Sequence, residues 1–197
     1  MPRPPLLPII DWKNLFASGR VFSEWLAAGE SPDKVSQIRL GLDRLELDAD
    51  TRIVLKRLNH TVHVLAIAED WCGDVVRHVP VLEKMAAETP HLQVRYIKRA
   101  DSLETFARFL TNGGEAIPKF VFLNEYFVEC GNWGPMPAAC KELIARGKAC
   151  GDVGAARAIV SDRYKADPMK REVVVELLHL IDITSSVSPQ VTVPHSS

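Results

Sequence analysis

Apolar positions along the chain change texture at Thr61. Before it they recur every three or four residues, the spacing of one helical face. Trp12, Leu15 and Phe16 form one such stripe, and Phe22, Trp25 and Leu26 a second beyond Ser18-Gly19. Ser31-Pro32 is a start signal, a capping serine with proline at the first helical position; Val35, Ile38 and Leu42 follow on one face. Asp48 or Asp50 caps a further helix with Ile53, Val54 and Leu58 inward. Residues 11–59 therefore read as a helical packing layer, and 1–10 as an extended, proline-rich arm.

After Thr61 short β-like runs alternate with helical stripes. Val62 to Ala68 is apolar at most positions, as in a strand buried on both faces. Gly73 to Glu88 reads as a helix striped by Val75, Val76, Val79, Leu82 and Met85, with Pro80 inside it as a kink. Leu92 to Lys98 alternates like a strand. Ser102 caps a helix carrying Leu103, Phe106 and Leu110, which Thr111-Asn112-Gly113-Gly114 ends. Phe120 to Leu123 and Phe127 to Cys130 read as strands of a hairpin closed through Asn124-Glu125, with 131–135 as a loop and a helix over 137–146. Two more helices, 152–166 and 168–182, are divided at Asp167-Pro168, and the Ser/Pro/Val-rich tail from Ser185 to Ser197 frays. The strand–helix–strand unit should be parallel and right-handed, and the hairpin adds an antiparallel edge. The class is α/β: a central mixed sheet flanked by helices, with added helices at both ends.

Composition narrows the function classes. The 197 residues are 47% hydrophobic and 25% charged, the mix of a globular chain with one domain plus additions or two small ones. With 24 basic and 25 acidic residues the net charge is −1, so no global field recruits nucleic acid or an anionic membrane. The longest clean apolar runs, such as Val64 to Ala68, fall far short of the roughly 20 residues of a membrane span. Neither nucleic acid nor membrane is expected as a partner. The N-terminus lacks a signal-peptide core, and Cys72, Cys130, Cys140 and Cys150 are too scattered for a disulfide scaffold. A reducing cytoplasm with free thiols is the expected location.

Candidate chemistry centres on Trp71-Cys72-Gly73-Asp74, at the end of a buried strand and the start of a helix. Unpaired N–H groups and the positive end of the helix dipole favour thiolate there, and thiolate is the nucleophile. The charge of Asp74 opposes ionisation, and spacing leaves the net direction open.

Glu69-Asp70-Trp71-Cys72-Gly73, Pro80 eight residues after the cysteine, and Ile117-Pro118 opening a strand together resemble the thioredoxin family over residues 61–147. With Asp74, Asn112-Gly113 and Gly131-Asn132-Trp133-Gly134-Pro135-Met136-Pro137, the chain looks like a single-cysteine WCGD branch over most of 10–182. The resemblance implies an organisation into a helical extension (1–60), a thioredoxin-like core (61–147), C-terminal helices (148–184) and a flexible tail (185–197). It implies that Cys72 is the attacking thiol, Trp71 the aromatic beside it, Pro80 the helix proline and Pro118 a cis-proline. The loop of Ile117-Pro118 would pair with a substrate backbone. Gly73, Asp74 and Trp133 complete the implied substrate-binding set, with Trp133 open to two roles: core plug or groove wall. The branch often carries a basic residue where Met136 stands, so one anion-binding charge is missing.

Two departures matter. The second motif cysteine is replaced by Val75, and the buried aspartate six residues before the thiol by Ala66. Without a resolving thiol the intramolecular step of disulfide exchange is lost. Cys130, at the hairpin end, is the candidate substitute if it comes within about 7 Å between Cα atoms. Cys140 and Cys150, ten positions apart, lie roughly 15 Å from each other along a straight helix. His60 and His63 have a ligand-like spacing but point to opposite faces of a strand, so no metal is expected, and no cofactor. Asp74 and His78 read as a surface pair or as acid/base partners of Cys72. Glu69 and Asp70 read as solvated or as shaping charge at the site.

Three functions follow. One is monothiol redox exchange at Cys72 with a protein or small-molecule disulfide, resolved by an external thiol such as glutathione. The alternative is a non-catalytic thioredoxin-fold binding or adaptor module using the groove beside Pro118. The third is redox sensing by Cys72. Homo-oligomerisation through Trp12 or Trp25 stays open, with burial against the core the expectation.

Overall fold

The computed structural model describes residues 9–111 and 113–186. Most of the proline-rich arm, Asn112 and most of the C-terminal tail lie outside the described residues. Four helices come first: α1 (Trp12–Ser18), α2 (Phe22–Ala27), α3 (Pro32–Arg44) and α4 (Ala49–Lys56). Asp11 caps α1 through Asn14 N–H, and Asp48 caps α4 through Thr51 N–H. Ser31 does not cap with its side chain; its backbone N–H is instead donated to Asp70 at 2.6 Å. Helix α4 buries Thr51 and Leu55, leaving Ile53 and Val54 exposed, so the inward face is rotated from the expected one.

Strand β1 (Val62–Ile67) is buried at every position, as a central strand requires. It leads to α5 (Gly73–Ala86), and β2 (Leu92–Ile97) returns parallel to it. A short helix α6 (Leu103–Phe106) runs into a 3₁₀ turn at Ala107–Phe109. Phe106 and Phe109 are buried there, whereas Leu103 and Leu110, expected inward, are exposed: the tighter turn rotates the stripe. Strands β3 (Lys119–Leu123) and β4 (Glu129–Trp133) complete a four-stranded sheet of order β2-β1-β3-β4. The β1–β3 and β3–β4 pairs are antiparallel.

The hairpin corrects the expected register. The second strand is Glu129–Trp133, so Gly131 to Trp133 are strand rather than loop, and Phe127 and Val128 belong to the turn. Asn124 Oδ1 accepts the N–H groups of Tyr126 and Val128, and Phe127 takes φ 60°. That turn sends the Phe127 ring onto His63 and Phe16. A register shift at Phe122/Leu123 absorbs Cys130, since Phe122 pairs with Gly131 and Leu123 with Glu129.

Helices α7 (Ala138–Ala149), α8 (Val153–Ala166) and α9 (Arg171–Ser185) follow. Helix α7 runs three residues past the expected end. Helix α9 lays Val173, Val174, Leu177 and Ile181 into the core. Its Glu176 accepts the Trp133 indole N–H at 2.6 Å and the Ala138 N–H at 2.8 Å, joining β4 to the start of α7. The N-terminal helices are as firmly seated: Trp25 is buried, stacks on Tyr96 and donates its indole N–H to Ala68 O at 3.2 Å.

Candidate functional site

Cys72 stands at the boundary of β1 and α5. Its N–H closes a turn onto Glu69 O, and its own carbonyl accepts the Val76 N–H, so it is the N-cap residue of α5. The side chain is half-buried and faces the loop before β3, where Sγ donates to Ile117 O at 3.4 Å. Ile117-Pro118 is a cis peptide, as the sequence resemblance implied. Ile117 is 3% exposed and Pro118 is buried. The surface beside that sulfur is formed by Gly73 and the exposed Trp71 ring rather than by the buried Ile117 or Pro118 side chains.

The loop is wedged from behind. Gly134-Pro135 is also cis, and Gly134 sits at φ +119°, where a Cβ would lie 2.0 Å from Pro118 O. Only glycine fits both constraints. Lys119, 4% exposed, donates to Thr111 Oγ1 at 2.6 Å and Gly134 O at 3.0 Å, tying the start of β3 to two loops. Burial, with Lys141 nearby, lowers its pKa to about 8. A lysine inside a strand of four buried apolar residues carried no sequence signal for this role.

Arg99 is the second residue that sequence reasoning missed. It binds Glu69 at 3.1 Å and Glu115 at 3.1 Å, linking the turn before Cys72 to the segment before Ile117. Its guanidinium carbon lies 5.3 Å from the centroid of the Trp71 ring. Glu69 is therefore paired and Asp70 buried on Ser31, so neither is simply solvated.

These surroundings set the ionisation of Cys72. Burial raises the thiol pKa; the helix-start N–H groups of Val75 and Asp74 lower it, the Asp74 charge raises it, and Arg99 lowers it. The net direction, open in the sequence, is upward. Asp74 is itself raised to about 6 by burial, against the pull of Arg77.

His78 is fully buried, which overturns the surface pair with Asp74. It packs edge-on against Trp133, and its Nε2 lies 3.3 Å from the Tyr164 hydroxyl of α8. Burial, then Arg77 and Lys170, lowers its pKa to about 3. Arg77 lies over the Tyr164 ring at 3.9 Å and donates to Tyr164 O at 2.9 Å. Trp133 is 3% exposed and stacked on Phe120, so it is a core plug; the groove-wall role is corrected.

The remaining candidates separate. Trp133 pairs with Phe120, near Pro118, so Cys130 lies roughly 10 Å farther along β4 and away from Cys72. Cys140 is buried in α7 beside Tyr164, Cys150 is exposed at the end of that helix, and all four thiols are free. His63 binds Asn124 O, His60 faces Glu125, and no metal-holding cluster occurs among the described residues. No helix among them is long and apolar enough to cross a membrane.

A mixed sheet of this order, with a cysteine capping the helix after β1 and facing a cis-proline before β3, defines the thioredoxin-like class. The family model described as Thioredoxin matches residues 19–153, and the chain belongs to that family. The match begins within the helical stretch ahead of β1. Among solved structures, a protein of unknown function from Pseudomonas aeruginosa superposes with a TM-score of 0.69 at 18% identity, covering 88% of this chain and 98% of that one. A crystallised HIV epitope scaffold superposes with a TM-score of 0.63, also at 18% identity, with the same coverages. Both likenesses are of fold. A comparison with curated proteins found no match.

Proposed function

We propose that this chain is a thiol-redox protein whose single working thiol is Cys72. The observation that carries the reading is the Cys72 Sγ facing Ile117 O at 3.4 Å across a cis-proline loop. A substrate disulfide entering over Gly73 and Trp71 reaches that sulfur. Cys72 gives up its proton and the thiolate attacks one sulfur of the disulfide. A mixed disulfide forms and the second sulfur leaves as thiolate, taking up a proton. An external thiol such as glutathione then attacks the mixed disulfide, because the places of a second cysteine and a buried acid are filled by Val75 and Ala66, both fully buried. The raised thiol pKa makes the first attack slow at neutral pH and faster as pH rises.

A second reading, a binding module that uses the loop beside Pro118 without turnover, draws support from that same raised pKa and from the loss of both internal groups. Incubating the protein with oxidised glutathione and following the adduct by intact mass separates them. The redox reading expects one glutathione on Cys72, absent in Cys72→Ser and removed by reduced glutathione. An unmodified Cys72 across neutral and alkaline pH leaves the binding reading.

A further inference from the structure

A cavity of about 410 Å³ lies on the opposite flank of β1 from the cis-proline loop. Its walls are the α1–α2 link and the end of α2 on one side, and the last residues of β2 with residues just past the carboxyl ends of the parallel strands β1 and β2 on the other. The volume falls within the range of small-ligand sites.

Most of its charges are spent within the protein. Glu69 holds Arg99, Asp101 accepts the Lys98 N–H at 2.7 Å, and the Lys98 ammonium pairs with Glu30. Two groups remain. The Arg20 guanidinium makes no hydrogen bond or ion pair with any described residue, and its charge opposes that of Lys98, which lines the same cavity. Asp70 is only 7% exposed, with one carboxylate oxygen held by the Ser31 N–H at 2.6 Å. Its other oxygen accepts nothing from the described residues. That oxygen is open to the cavity rather than sealed in the core, so a cationic donor entering there can reach it, and a free guanidinium fork matches a carboxylate. Trp25 supplies an apolar wall between polar groups.

We propose that this cavity binds the zwitterionic head of an α-amino acid, with its ammonium on Asp70 and its carboxylate on Arg20. Free amino acids carry that head, and so does the γ-glutamyl end of a small thiol. The site needs no chemistry at Cys72, so it stands or falls separately from the redox reading.

The test is calorimetric titration of the full chain with L-alanine, with N-acetyl-L-alanine and with S-methylglutathione, which has no free thiol. Saturable binding of at least one zwitterion is expected, weakened roughly tenfold or more by Arg20→Ala and by Asp70→Asn. N-acetyl-L-alanine, which lacks the ammonium, should bind the wild type no better than L-alanine binds Asp70→Asn. Equal binding of both zwitterions assigns free amino acids; a clear preference for S-methylglutathione assigns a small thiol. Asparagine can still accept the Ser31 N–H. If Asp70→Asn nonetheless fails to fold, the N-acetyl arm and Arg20→Glu, at an exposed side chain, decide. Absence of saturable binding by either zwitterion, or binding unchanged in the Arg20 variants, overturns the proposal.

Discussion

At the scale of single residues, the behaviour of Cys72 is a contest between its helix start and its neighbours. Two N–H groups and Arg99 favour thiolate; burial and the Asp74 carboxylate oppose it and win. Removing the Asp74 charge should therefore lower the thiol pKa. Asp74→Asn is expected to raise the rate of iodoacetamide labelling of Cys72 several-fold at neutral pH, measured against Cys72→Ser to subtract the other thiols. His78 carries a pH signature of its own. Its folded pKa of about 3 lies below the ordinary 6.5, so the stability tied to the neutral ring is full above pH 6.5 and drains away as pH falls toward 3. Asp74 and Glu83, raised to about 6 and about 7, have the opposite sign and mask this in the wild type. In urea unfolding, the stability gap between wild type and His78→Gln should therefore narrow on acidification, by up to about 1.4 kcal/mol per pH unit.

At the scale of elements, α5 sets a buried valine one turn from the thiol. Val75 sits in its first turn, fully buried, three residues from Cys72. Residues at that helical spacing have Cβ atoms about 5–6 Å apart, so modest adjustment closes a bridge. Val75→Cys is expected to oxidise to an intramolecular disulfide, seen as a mass loss of two hydrogens and as protection of Cys72 from alkylation. The Trp-Cys-Gly-Asp helix start and the run Val62 to Ile67 were legible in the sequence, because strong periodicity and a strand-to-helix junction leave little choice. The β4 register was not: it depends on Asn124 gathering two N–H groups and on Phe127 accepting a left-handed backbone, a local turn choice decided by the Phe16 and His63 rings it packs against. Trp133 was ambiguous for the same kind of reason, since its indole is held inward by distant partners: Phe120 stacked on it, His78 edge-on, and Glu176 on α9, forty-three residues away.

At the scale of the whole molecule, the helices outside the sheet are part of its core. Trp25 bridges the first helices to the sheet through Tyr96 and Ala68, so Trp25→Ala should cost about 3–5 kcal/mol in chemical denaturation, as deep burial implies. The other end is fastened through Tyr164, which Arg77 covers and His78 meets, so α8 grips the same helix that carries the thiol. Amphipathic spacing made both sets of helices visible, but not which charged residues would cross between layers; Arg99 and Lys119 acquire partners only once distant loops converge. Gly134, pressed against the Pro118 carbonyl, adds a rule about portability. Position 134 is buried behind the cis-proline loop, and its bare backbone is the mould in which that loop is cast. Anyone transplanting the cis-proline loop onto another scaffold must carry the Gly134 turn with it, although that turn lies outside the residues around Cys72.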